Sequence, residues 1–319
     1  MKLNVANGQL QVARPHPAAG GTFNFQLSTF HPVRAFSLVE LLIVMALLSL
    51  IVTALMGVFS STQRAFRAGV TQSDVMEGGR AAMDLIASDL RLMAASGGVS
   101  NGAVNLSVEG ISAFDSNYNP LFQALPGGPD VRTNLLNAIF ILGRENTTWT
   151  GTGYYVDYSA TKSFYPLYRF YISTNIYYNP SSLRVAFFNA INNNLLSGQW
   201  TNMSHVIDGV VHLSLNTYDT GGDWIRYDYN LGHRQIPNVD SYRDATKYWI
   251  ETRQYFFSNT LPLSVELEFA KLEDHAIKRA ESLNLNYTRL TNYLSNQSGN
   301  VHVFRKHVPI PNADRAAYQ

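Results

Sequence analysis

The sequence predicts an α+β fold in which a long N-terminal helix, transmembrane at first and then amphipathic, packs on an antiparallel β-sheet. Three observations predict it. From Phe36 to Phe59 the chain reads FSLVELLIVMALLSLIVTALMGVF, an apolar run whose only charged member is Glu40. Further on, Met83, Ile86, Leu90 and Met93 recur at helical spacing. Two late runs then alternate strictly, Val211, Leu213 and Leu215 against His212, Ser214 and Asn216, and Leu263, Val265, Leu267 and Phe269 against Ser264, Glu266 and Glu268.

Composition narrows the field of functions. The 319 residues can bury a substantial core, and only 15% are charged while 12% are aromatic, a balance that favours strand-rich globular structure over disorder. A net charge of +1 creates no field that would draw the protein to nucleic acid. The absence of Cys excludes disulfides, a thiolate nucleophile and any Cys-based metal site.

Taken in chain order, residues 1–35 form a basic segment with Lys2, Arg14 and Arg34 and no Asp or Glu. Residues 36–59 are the transmembrane part of the helix, because at ~1.5 Å per residue they span a ~30 Å hydrocarbon core. Arg64 and Arg67 follow closely and compete with Arg34, so charge alone does not set orientation. A carboxylate in such a run costs ~2.5 to 3.5 kcal/mol on insertion scales, so Glu40 calls for a compensating partner. Residues 60–96 are the amphipathic continuation, with Gly78-Gly79 as a candidate bend and Ser96-Gly97-Gly98 as the stop. Residues 97–319 form a β-rich head. Its expected strands are Ala138–Leu142, Gly153–Tyr158, Leu167–Ile172, Leu183–Phe188, the two alternating runs, each with one wet face, and a last strand around Val301–Val308. A helical insertion near 271–283 and a polar loop through Asn300 precede that last strand.

The segment Arg34-Ala35-Phe36-Ser37-Leu38-Val39-Glu40-Leu41-Leu42 resembles the prepilin cleavage and methylation motif of the type IV pilin-like family. The resemblance implies a leader, residues 1–35, removed by prepilin peptidase between Ala35 and Phe36. It further implies N-methylation of the new terminus at Phe36, and Glu40 as the residue that assists assembly. Ala35 stands where the family usually has Gly. An ordinary signal anchor does not explain Glu40. A secretory signal peptide would need a shorter apolar core and a small-x-small cleavage site, which Ser60-Ser61 does not supply. Val206-Ile207-Asp208-Gly209-Val210, a strand, the turn Asp219–Trp224 and Leu261–Val265 are similar to the order of elements in the J-type minor pseudopilins of type II secretion and W-type minor pilins.

Gly98-Val99-Ser100-Asn101-Gly102 spells a nucleophile-elbow string but follows a helix, where an elbow needs a strand leading in. No phosphate loop or H-E-x-x-H occurs, and the His residues lack metal-ligand spacing, with His212 expected in solvent and His302 and His307 on the last strand. Asp219, Asp223 and Asp228 surround a Gly-rich turn whose oxygens suit Ca²⁺, although the spacing fits no EF-hand and turn chemistry is the expectation. Tyr154, Tyr155, Tyr158, Tyr165, Tyr168 and Tyr171 suggest cross-strand packing, and Arg305-Lys306-His307 a solvated strand end. No catalytic, cofactor or metal residue is assigned.

The expectation is therefore a structural minor pilin or pseudopilin, not an enzyme, anchored once in the inner membrane with its head in the periplasm or outside. Its expected partners are prepilin peptidase, other pilins or pseudopilins, the inner-membrane assembly platform and membrane lipid, with no nucleic acid. The alternative is a bitopic membrane-anchored enzyme or small-molecule-binding protein with an extracytoplasmic head. Secretion, adhesion and DNA uptake stay open, because shared assembly motifs do not name a cargo.

Overall fold

A computed structural model describes residues 37–97, 103–111, 118, 120–125, 127–158, 164–197, 202–225, 238–243, 252–283 and 287–318. By internal contacts the chain separates into two units, residues 1–60 and 61–319.

Helix α1, Leu38–Arg91, supplies all the regular structure described in the first unit. Every described residue from Ser37 to Ser60 is exposed. The few hydroxyls here are satisfied inside the helix, Ser49 Oγ donating to the Ala46 carbonyl at 2.9 Å and Thr53 Oγ1 to the Ser49 carbonyl at 2.8 Å. Neither hydroxyl therefore needs water, which is the condition hydrocarbon imposes.

In the second unit α1 buries one stripe, Val75, Gly79, Met83, Ile86 and Leu90, at the expected spacing of three and four, and Met93, just past the helix end, is buried in line with it. Gly78-Gly79 does not break the helix, which runs on through both glycines. The pair permits close approach instead. A Cβ on Gly79 would overlap the Phe304 ring, and one on Gly78 would lie 3.0 Å from Ile207 Cδ1. The helix ends at Arg91, short of Ser96.

The head contains two main antiparallel sheets. The larger has seven strands: β1 (Val104–Gly110), β4 (Asn137–Glu145), β5 (Thr148–Val156), β6 (Leu167–Asn175), β7 (Met203–Ile207), β9 (Val239–Arg243) and β10 (Thr252–Phe257), in the order β7-β6-β5-β4-β1-β10-β9. The smaller has three: β8 (Val210–Tyr218), β11 (Ser264–Leu272) and β12 (Val301–Pro309), in the order β12-β11-β8. A separate hairpin pairs β2 (Leu121–Ala124) with β3 (Val131–Asn134).

A polar anchor ties α1 to the larger sheet. Arg169 on β6 grips Asp89 with both arms, Nε to Oδ2 at 2.7 Å and Nη2 to Oδ1 at 3.0 Å, and Tyr154 on β5 donates its hydroxyl to Oδ2 at 2.5 Å. Burial, reinforced by the Asp89 charge, pushes the Tyr154 hydroxyl well above its ordinary value, and the hydrogen bond to Asp89 holds the Arg169 guanidinium above its own.

Leu183–Phe188, expected as a strand, lies in helix α2, Ser181–Ser197. Among its described side chains Leu183, Phe187, Ala190 and Ile191 are buried, an i, i+4, i+7, i+8 set. Asn179 Oδ1 accepts the Ser181 amide at 3.0 Å where the helix begins. The helix seats on β5 over two glycines. A Cβ on Gly153 would overlap the Phe187 ring, and one on Gly151 would lie 2.9 Å from Leu183 Cβ.

The helical insertion is present as α3, Asp274–Ser282, while Lys271 belongs to β11. Part of the expected polar loop is a further helix, α4, Tyr287–Ser295, with Leu294 buried and the Tyr293 hydroxyl reaching the Ala276 carbonyl at 3.4 Å.

The smaller sheet carries a second correction. His212 and Ser214, expected on a wet face, are each only 7% exposed. Leu135, at the end of β3, donates its amide to His212 Nδ1 at 3.0 Å and accepts the Leu213 amide at 2.8 Å, so the stretch joining β3 to β4 covers this edge of β8.

Candidate functional site

The charged residue of the apolar run sits in the first turn of α1. Ser37 precedes the helix and its carbonyl accepts the Leu41 amide at 3.1 Å, which makes it the N-cap. Its hydroxyl accepts the Glu40 amide at 3.2 Å, and Glu40 Oε2 accepts the Ser37 amide at 3.1 Å. The two residues thus form a reciprocal capping box, each side chain satisfying an orphan donor of the other. The carboxylate is aimed at the helix start, where the backbone dipole favours negative charge.

Ser37 was missed as a functional partner although Ser-x-x-Glu is legible as a capping box. Ala35 and Phe36 lie outside the described residues, so the geometry around Glu40 begins at Ser37. From Leu38 to Phe59 the helix offers exposed Leu, Ile, Val, Met and Phe side chains on all sides. Among the described residues α1 is the one helix long and apolar enough to cross a membrane.

In the head, Asp219 behaves as a turn residue. Its Oδ1 accepts the Gly221 amide at 2.8 Å and the Asp223 amide at 3.0 Å. Asp228 and Gly98–Gly102 lie outside the described residues. His302 Nε2 is 2.7 Å from Glu273 Oε1, and His205 Nε2 is 2.9 Å from Asp208 Oδ1. Among the described residues, no group of three or more His, Asp or Glu is placed to hold a metal ion. Tyr154 and Tyr155 are fully buried, which accounts for part of the aromatic cluster as core. Lys306 reaches Asp84 of α1, so the Arg305-Lys306-His307 end is partly engaged within the chain.

Residues 31–56 match the family model described as the Prokaryotic N-terminal methylation motif. No curated protein matches the chain, and no solved structure does. The match marks this segment, which includes the start of α1, as a type IV pilin-type prepilin signal. Together with the one helix among the described residues that is long and apolar enough to cross a membrane, it fits a single-pass membrane anchor.

Proposed function

We propose that this chain is a minor subunit of a type II secretion pseudopilus or a type IV pilus, of the J or W kind, whose α1 packs among the helices of neighbouring subunits. Prepilin peptidase hydrolyses the Ala35–Phe36 amide, and the amine released at Phe36 is methylated. The observation that carries the reading is an exposed apolar helix whose lone carboxylate lies in its first turn, within the matched motif.

The chemistry follows from that carboxylate. Before assembly, the capping box and nearby solvent compensate Glu40. Packed among apolar helices it loses the solvent, and the cationic amine of a neighbouring subunit's Phe36 supplies a counter-charge. Pairing of this kind fixes the axial register between subunits, because a displaced helix would bury both charges unpaired. On this reading residues 1–35 are the leader, 36–59 span the inner membrane, 60–96 continue the helix, and the head, residues 97–319, stands on the periplasmic side. Its contacts are with prepilin peptidase, other pilins or pseudopilins, the assembly platform and lipid.

Mass analysis of the N-terminal peptide from cells with active prepilin peptidase tests the processing step. The expected mature start is an N-methylated Phe36. A retained leader, or a start at another residue, would overturn it.

A further inference from the structure

A cavity of about 540 Å³ lies in the head, away from α1, and neither the pilin motif nor the assembly reading uses it. Its floor is one face of the smaller sheet. Strand register places His212, Ala270 and Val303 side by side in one row across β8, β11 and β12, with Glu268 beside Arg305 in the adjacent row. Ala270, the smallest member, leaves room at the centre. The β2–β3 hairpin forms the wall, contributing Leu125, Arg132 and Asn134. The volume falls within the range of ~300 to 1,000 Å³ usual for small-molecule sites.

Three polar atoms on this lining are buried without a hydrogen-bond partner among the described residues: Arg132 Nε, Asn134 Oδ1 and His212 Nε2. Their hydrogen-bonding roles are set by the groups behind them. Asn134 Nδ2 donates to the Leu121 carbonyl at 3.1 Å and to Gln123 Oε1 at 3.0 Å, so Oδ1 is the free end and accepts. His212 Nδ1 accepts the Leu135 amide, so the neutral ring carries its proton on Nε2, which donates. Glu268 Oε2 lies 3.6 Å from that nitrogen, beyond hydrogen-bond reach. Asn134 is fully buried and His212 only 7% exposed, and unmet polar atoms at such depth are costly.

The charges are unbalanced as well. Glu268 is paired with Arg305, Oε1 to Nε at 3.1 Å. Arg132 meets only the neutral Gln123 Oε1, through Nη2 at 2.5 Å, and has no carboxylate partner among the described residues. Burial pulls its guanidinium below the ordinary value, the sign of a desolvated cation without a counter-ion. Around these groups Leu125 and Val303 leave apolar surface exposed.

We propose that this cavity binds an α-amido carboxylate with an apolar side chain. The carboxylate accepts from Arg132 Nε and His212 Nε2, the neighbouring N–H donates to Asn134 Oδ1, and the side chain rests on Leu125 and Val303. A free N-acyl amino acid and the C-terminal residue of a polypeptide both carry this group. The inference is independent of the assembly reading.

Isothermal titration calorimetry on the full chain in detergent micelles tests it, with N-acetyl-L-leucine, its neutral amide N-acetyl-L-leucinamide, and the peptide acetyl-Ala-Ala-Ala-Leu bearing a free carboxyl group. Loss of a charge-assisted bond corresponds to about tenfold or more in affinity, so the acid should bind at least that much more tightly than the amide. A peptide that binds more tightly than N-acetyl-L-leucine assigns the site to a chain terminus, and equal binding assigns it to the small molecule. Arg132→Gln should remove the acid's preference. Val303→Trp, on the outer strand β12, should block entry without touching the buried polar atoms, and unchanged near-ultraviolet circular dichroism would show both variants folded. Equal binding of acid and amide, or binding of neither probe, overturns the proposal.

Discussion

The two ends of α1 have the same secondary structure and opposite surroundings. From Leu38 to Ser60 every residue is exposed although nearly all are apolar, whereas from Val75 to Leu90 one side of the helix is buried, with Val75, Met83, Ile86 and Leu90 on it, and the other side is exposed. A helix that is apolar all round has no preferred face toward its own protein and must find lipid or other helices. An amphipathic helix supplies one wall of a core. The difference teaches where each end finds its stability, the first among other molecules and the second within the head.

The largest effect expected in the head is at Asp89. Asp89→Ala leaves Arg169 without its carboxylate and Tyr154 without its acceptor, and breaking a buried pair in this way costs about 3 to 5 kcal/mol, reduced here because Arg169 is partly exposed. Denaturant unfolding should show a markedly lower midpoint, and cutting at the Ala35–Phe36 bond should be unchanged. An unaltered midpoint would mean the anchor contributes nothing.

Ile86→Ala should cost about 2 to 5 kcal/mol, because the side chain is fully buried between helix and sheet. The parallel change in the first half, Leu48→Ala, should move the head's midpoint by less than about 0.5 kcal/mol, since Leu48 is exposed. Comparable losses from the two substitutions would erase the distinction between the halves.

Gly79→Ala should destabilise by about 1 to 3 kcal/mol through overlap with Phe304. Phe304→Leu should recover part of that loss in a double-mutant cycle. Additive effects would show that the two residues do not meet.

What could be read in the sequence divides along similar lines. The apolar run, the Met83–Met93 stripe and the alternation in β11 are periodic signals carried by neighbouring residues, and each element is present. Leu183–Phe188 failed because a short apolar run fits strand and helix alike, and the deciding partner is the groove over Gly151 and Gly153 some thirty residues away. Strand β1 was passed over although Val104, Leu106 and Val108 alternate with Asn105, Ser107 and Glu109. Its second face is polar yet buried, with Glu109 paired to Arg184 at 2.6 Å. His212 was placed in solvent because nothing local reveals that Leu135 folds across it. The polar lining of the cavity, drawn from four strands, has no sequence signature. Glu40 was legible from the motif, and its capping partner Ser37 could have been read from the same four residues.

A smaller effect separates the two roles of Glu40. Ser37→Ala removes one half of the capping box and should cost about 1 kcal/mol in the first turn of α1, with the head's midpoint unchanged. Subunit incorporation should persist, because the carboxylate remains. Incorporation lost with Ser37→Ala would assign assembly to the cap rather than to the charge.

The central claim, that the first half of α1 finds its partners in other subunits through Glu40, is tested most directly by Glu40→Gln. Wild type and variant would be compared by N-terminal peptide mass for cleavage and by cross-linking to partner subunits for incorporation. The account predicts equal cleavage at Phe36 in both proteins and a clear loss of cross-linked product in the variant. Equal cross-linking in the two would contradict it.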